Sequence, residues 1–298
     1  MKLCLGTVQF GMNYGIQGGK KPSAQEAVKI MSAAVEGGVD AIDTAIAYGD
    51  AESVVGQYLS VNPGRRKDVF LVSKFGADIF RNTTSGDFLG RIENAARQSL
   101  SRMGVDCIDA YICHDPTLVG VAGVLTAMKW LKDSGVVKKT GFSVYEVEEA
   151  EVAIKSGIVD FLQVPYSIFD QRMGTAGIFE MAASYGVEIH SRSAFVQGLA
   201  LMSPDAIPQW LSQARYYVRE FEKVSRETGI SRRRLLLSFV KRQAGISHLV
   251  FGVDNLRQLN EILEDFSADV PADVFKDVDR LFADIDPSIA MPNKWRRL

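Results

Sequence analysis

Cysteine is scarce in this chain of 298 residues: Cys4, Cys107 and Cys113 are an odd set without metal-ligand spacing. Cys107 and Cys113 share one strand-like run, where two such side chains cannot bridge, so a reducing compartment fits. Histidine is equally rare, and His114, His190 and His248 fall in separate apolar runs without the spacing of a zinc site, so no metal is expected. Charge of one sign is also lacking. With 34 basic and 36 acidic residues the net charge is -2, which gives no field to draw nucleic acid or an anionic membrane. The short clusters Arg65-Arg66-Lys67, Arg232-Arg233-Arg234 and Arg296-Arg297 read as solvated helix ends. No apolar run approaches the roughly 20 residues of a spanning helix, and the first residues turn polar at Gly6, Thr7 and Gln9 before a signal-peptide core forms. A cytoplasmic protein is expected. No Gly-x-Gly-x-x-Gly follows a strand, so a Rossmann site is not indicated.

What the chain does have is a glycine followed by a short apolar run, repeated. Gly38-Val39, Gly104-Val105, Gly135-Val136, Gly157-Ile158, Gly186-Val187 and Gly245-Ile246 open such runs. Each glycine suits the left-handed residue ending a helix, and each run suits a buried parallel strand. Strands are expected at 1–5, 41–43, 69–74, 107–114, 140–143, 161–164, 188–191 and 249–251, with helical periodicity between them. One such helix opens with Ser23 as cap and Glu26 three residues on, then shows Ala27, Ile30, Met31 and Ala34 on one face. Eight alternating units predict an α/β fold of the (β/α)8 TIM-barrel type in a single domain, 1–298, over the alternative of a doubly wound open sheet. An extra helix within 204–228 precedes the last helix-strand unit, and a C-terminal helix (273–282) and tail (287–298) follow it.

Three of the expected strands stop at an ionisable residue or just before one. Asp43-Thr44-Ala45-Ile46-Ala47-Tyr48-Gly49 follows the second, Lys74 closes the third and His114 the fourth. Gly49-Asp50 reads as the turn and cap of the next helix. In α/β folds the carboxyl ends of strands are where sites are built. A free tyrosine, with a pKa near ~10, is a poor acid at neutral pH unless its phenolate is stabilised. Lys74 is the candidate ammonium for that, and Asp43 the carboxylate that keeps the ammonium charged.

The Asp-Thr-Ala-x-x-Tyr-Gly pattern, with Lys74 and His114 closing the next two strands, resembles the aldo-keto reductase family, and the likeness runs from Leu5-Gly6-Thr7 to about Glu261. The resemblance implies an NAD(P)-dependent oxidoreductase that moves hydride between a nicotinamide and a small aldehyde or ketone. Tyr48 would give the proton, assisted by Lys74 and Asp43, while His114 orients the carbonyl. The tail would fold over the barrel mouth, and Val8, Trp210 and Trp295 would shape the substrate pocket.

The resemblance also implies cofactor contacts. Ser143 and Gln163 match residues that hold the nicotinamide carboxamide, although Val144 stands where the family often carries Asn. Thr7 lies in a loop that lines the pocket. Arg192 occupies the position of an aromatic residue that stacks on the nicotinamide. A guanidinium can stack there, repelling the oxidised ring more than the reduced one; it can instead grip an anion on the substrate, or serve as a salt-bridged rim arginine. Gly252, Asp254, Asn255 and Gln258 form a glycine turn into a helix N-terminus, suited to an anion. Asp254 suits a ribose hydroxyl, as in NAD sites, and Arg257 is the nearby cation for a 2′-phosphate, so NAD(H) and NADP(H) both stay open. Asp254 or Asn255 acting only as a helix cap is the plain alternative. Two other readings of the whole compete: a cofactor-binding regulatory protein with little turnover, and a barrel enzyme using Lys74 as a Schiff base, for which the lysine would have to be neutral.

Overall fold

In the computed structural model, which describes residues 1–81 and 86–295, the glycine-punctuated runs become eight parallel strands. They are β1 (Lys2–Gly6), β2 (Ala41–Asp43), β3 (Phe70–Phe75), β4 (Ile108–Cys113), β5 (Val137–Ser143), β6 (Phe161–Pro165), β7 (Glu188–Arg192) and β8 (Ile246–Phe251). They pair in sequence order, and β8 returns to β1 to close the barrel. The expected (β/α)8 fold is the one observed. Left-handed glycines stop the helices as read, Gly104 at φ 65° and Gly186 at φ 70° among them.

β5 begins three residues before its expected start because Lys138 and Lys139 disguise it. Their ammonium groups lie on the carboxylates of Asp109 and Glu188, so two charged residues sit in a strand that is otherwise mostly buried. The helix Ala24–Glu36 carries the full capping box: Ser23 Oγ accepts from the Glu26 amide at 3.2 Å, and the Glu26 carboxylate accepts from the Ser23 amide at 2.9 Å. Its face of Ala27, Ile30, Met31 and Ala34 is buried against the barrel, at roughly 1.5–3 kcal/mol for each of the two large side chains. The helix Ala51–Val61 departs from expectation. Asp50 precedes it, but its carboxylate binds Lys21 and caps no backbone amide.

The insertion after β7 holds two short 3-10 turns, Pro204–Ala206 and Gln209–Leu211, and the helix Ala214–Thr228. Phe221 on that helix packs against Phe169 and Phe282, which anchors it to the C-terminal segment. The C-terminal helix is split into a turn, Ala272–Val274, and Phe275–Leu281. Beyond it the tail doubles back, with Trp295 Nε1 donating to the Ile289 carbonyl at 3.0 Å and its ring 5.8 Å from Trp210. Arg296 and Arg297 lie outside the described residues.

Two of the histidines that looked separate in sequence meet in the barrel interior. Parallel register pairs His190 of β7 with His248 of β8, their rings 4.2 Å apart beside Phe70 and Phe161. His190 Nε2 lies 3.1 Å from Glu188 Oε1 and His248 Nε2 lies 3.1 Å from Asp40 Oδ1. Lys139 and Lys2 hold those carboxylates in turn, so the cluster carries its own counter-charges.

Barrel closure leaves no room at Gly141, where an added Cβ would lie 1.6 Å from the Phe161 carbonyl oxygen on the neighbouring strand. Backbone cannot yield as a side-chain tip can. We expect Gly141→Ala to lower unfolding stability in urea by about 1–3 kcal/mol or more; an unchanged midpoint would contradict this packing.

Candidate active site

The ends of β2 and β3 bring Asp43 and Lys74 together in full burial. Lys74 Nζ donates to Asp43 Oδ1 at 2.6 Å, to the Thr44 carbonyl at 3.0 Å and, at the long limit, to Tyr48 Oη at 3.5 Å. An ammonium has three N–H donors, and each has found an acceptor. The other oxygen of Asp43 accepts from Gln163 Nε2 at 2.8 Å, so the carboxylate is held from two sides. Lys74 does not line the cavity described below. Its ammonium is committed inward, which disfavours the Schiff-base reading.

Tyr48 is set by a close approach of two loops. An added Cβ on Gly11 would fall 1.6 Å from the Tyr48 carbonyl oxygen, and Gly49 next to it adopts φ 61°. The ring of Tyr48 meets that of His114 edge to face, centroids 5.6 Å apart. Burial and the Asp43 carboxylate push the Tyr48 phenol well above its usual value, while Arg192 pulls the other way. This reverses the expectation of an acidified phenol: in the free protein desolvation wins, and Tyr48 stays protonated at neutral pH. His114 moves down to about 3, because burial and then the cations Lys74 and Arg192 disfavour imidazolium. It is a neutral imidazole with a single N–H to donate.

These groups face a cavity of about 680 Å³ at the carboxyl end of the barrel, within the range of small-molecule sites. Of the residues singled out from sequence, Val8, Asp43, Tyr48, His114, Gln163, Arg192, Gly252, Asp254, Arg257 and Gln258 line it. Thr7, Ser143, Asn255, Trp210 and Trp295 do not. Thr7 Oγ1 donates to the Asp43 carbonyl at 3.0 Å, and Asn255 Oδ1 caps the helix Leu256–Ser267 by accepting from the Gln258 amide at 3.0 Å, the plain alternative for that residue. Ser143, at the end of β5, is fully buried and its hydroxyl has no partner among the described residues. An orphaned hydroxyl beside Gln163, which pairs with Ser143 across β5 and β6, fits a carboxamide ligand. Gln258 and Asp254 engage each other, the Asp254 amide donating to Gln258 Oε1 at 2.8 Å.

Several lining residues carried no sequence signal. Tyr14 and Gly19 form a small bridge in the loop after β1, and the Ile16 amide of that loop donates to the Gln197 carbonyl at 3.1 Å, across to the loop after β7. There Ser193, Val196 and Gln197 all have positive φ, at 68°, 48° and 53°. Non-glycine residues, a β-branched one above all, adopt this only where their surroundings enforce it. Tyr145 is found by its contact with Arg192 (ring to guanidinium 4.1 Å). Arg233, read from sequence as part of a solvated helix end, instead lines the cavity and is paired with Glu261 and Asp265. The tail enters through Pro292 and Asn293.

The family model described as Aldo/keto reductase family matches residues 2–283. An aldo-keto reductase from Strobilurus tenacellus is 33% identical over 59% of this chain and 52% of its own length. The NADH-specific methylglyoxal reductase of Escherichia coli is 27% identical over 54% of each chain. The matched region thus spans about half the length of these curated relatives. A thermostable aldo-keto reductase solved with the inhibitor epalrestat superposes with a TM-score of 0.71 over 94% of each chain at 22% identity, a likeness of fold.

The burial of His114 is directly observable. Its ring nitrogens should give the NMR shifts of a neutral imidazole from pH 8 down to about pH 5, since an ordinary histidine titrates near ~6.5; a midpoint near that ordinary value would contradict the arrangement.

Proposed function

The chain belongs to the Aldo/keto reductase family, and from that premise we propose that it is an NAD(P)-dependent oxidoreductase acting on a small aldehyde or ketone, in the direction of the alcohol or the reverse. The observation that carries the reading is the seat of Lys74, whose ammonium is shared between Asp43 and the hydroxyl of Tyr48. Tyr48 offers a proton at the cavity wall, and the ammonium behind it lowers the cost of the phenolate left when that proton goes. His114, neutral and beside Tyr48, donates a second hydrogen bond to the same carbonyl oxygen and so fixes its orientation. A reduced nicotinamide, when bound, supplies hydride to the carbonyl carbon. Ser143 and Gln163 are the residues to hold its carboxamide, and Asp254 and Gln258 face the adenosine end. Arg257, mostly exposed, and Arg233, already paired with two carboxylates, are the cations for a 2′-phosphate if NADP(H) is used. Among the described residues no helix is long and apolar enough to cross a membrane, and we place the enzyme in the cytoplasm.

Fluorescence titration with NADH and NADPH, followed by a carbonyl panel with the tighter binder, tests the activity. Tyr48→Phe keeps the ring and removes the proton. We expect it to bind the dinucleotide as the parent does and to lose about 100-fold or more in turnover; equal turnover would remove Tyr48 as proton donor.

A further inference from the structure

Arg192 ends β7 in the same cavity wall as Tyr48 and His114. Its guanidinium stacks on the Tyr145 ring at 4.1 Å, donates through Nη2 to the Val144 carbonyl at 2.9 Å and through Nη1 to Ser193 Oγ at 3.3 Å. A guanidinium carries five N–H donors, and these contacts use two. No carboxylate lies within ion-pair distance of it among the described residues, in contrast to Arg172 and Arg233, each fixed by two acids. The salt-bridged rim reading is therefore set aside. The charges around it do not compensate it either. Asp43 is matched by Lys74, His114 is neutral, and Tyr14, Tyr48 and Tyr145 bring hydroxyls only. The catalytic end of the cavity thus holds one net positive charge, half-buried and held flat by Tyr145 with N–H groups to spare. Its field already bears on Tyr14, Tyr48 and His114.

A stacked, unpaired guanidinium is the side chain suited to bidentate capture of a carboxylate or phosphate. We propose that Arg192 anchors an anionic group on the carbonyl substrate, so that the preferred substrates are aldehydes or ketones bearing a carboxylate or a phosphate. This rests on the carbonyl-reduction reading above. The arginine supplies both charge and direction, holding the anion while the carbonyl oxygen lies against Tyr48 and His114.

Matched pairs test it: 4-formylbenzoate against benzaldehyde, and glyceraldehyde 3-phosphate against glyceraldehyde, read by oxidation of the reduced dinucleotide. In the wild type we expect kcat/KM for a charged member to exceed that of its neutral partner by about 10- to 100-fold, mainly through KM. A gain in the first pair alone names the carboxylate, in the second alone the phosphate. Arg192→Gln should collapse that ratio, and Arg192→Lys, which keeps the charge without the fork, should retain part of it. Reduction of charged and neutral members with equal kcat/KM overturns the anion site and leaves the reductase reading standing. Equal losses for both members in Arg192→Gln, or a matching loss of dinucleotide affinity by fluorescence, would also overturn it by making the arginine structural or a cofactor ligand. No oxidation with any carbonyl would remove both readings.

Discussion

The site depends on one ion pair that the barrel has sealed from water. Asp43 and Lys74 meet at 2.6 Å with almost no exposed surface. Two unit charges at about 4 Å attract by about 4 kcal/mol even at an effective dielectric of ~20, but removing both from water costs several kcal/mol per ion. The balance is met only by completing every hydrogen bond. Thr44, Tyr48 and Gln163 do so. Loss of either charge alone would strand the other at about 3–5 kcal/mol, so the pair acts as a unit, and its one flexible outlet is the long contact from Lys74 to Tyr48. In the free protein burial and the Asp43 carboxylate keep the phenol protonated. In the proposed reaction the ammonium would stabilise negative charge as it develops on that oxygen, which is where electrostatic preorganisation acts.

The rest of the barrel serves to hold this arrangement at the cavity wall. Thr7 fixes the backbone of Asp43 from the first loop, and Gly11 and Gly49 admit the tight turn that presents Tyr48. The strained loop after β7 and the hairpin around Tyr14 brace each other over the mouth. The electrical character of the cavity then varies along its length. Its catalytic end is positive because of Arg192, whereas near β8 Arg233 and Arg257 face Glu261 and Asp254.

Much of this was legible in the residue order, and the limits have physical causes. Strands buried on both faces leave apolar runs, and helices ending at glycine mark where each run begins, so the barrel could be counted from the chain. Lys138 and Lys139 hid the start of β5 because their charges are neutralised by carboxylates on β4 and β7. Asp50 sits at the N-cap position as read, but its side chain caps no amide because a lysine 29 residues away takes its carboxylate. The meeting of His190 and His248 depends on strand register, which no local pattern encodes. Asp43, Tyr48, Lys74 and His114 stood out because ionisable residues ending apolar runs are costly unless used. Tyr14, Tyr145 and the positive-φ residues of the β7 loop carried no such signal, since their placement follows from tertiary contacts alone.

The most direct test removes both members of the buried pair at once, as Asp43→Asn with Lys74→Met, so that no charge is stranded in the core. The measurement is the single-turnover rate of carbonyl reduction by the enzyme preloaded with reduced dinucleotide, using an aldehyde the wild type accepts. The account predicts dinucleotide affinity within a few-fold of the parent and a reduction step slowed by about 10²–10⁴-fold. A double variant that reduces the carbonyl at the parental rate would contradict it, because proton donation by Tyr48 would then need no ammonium behind it.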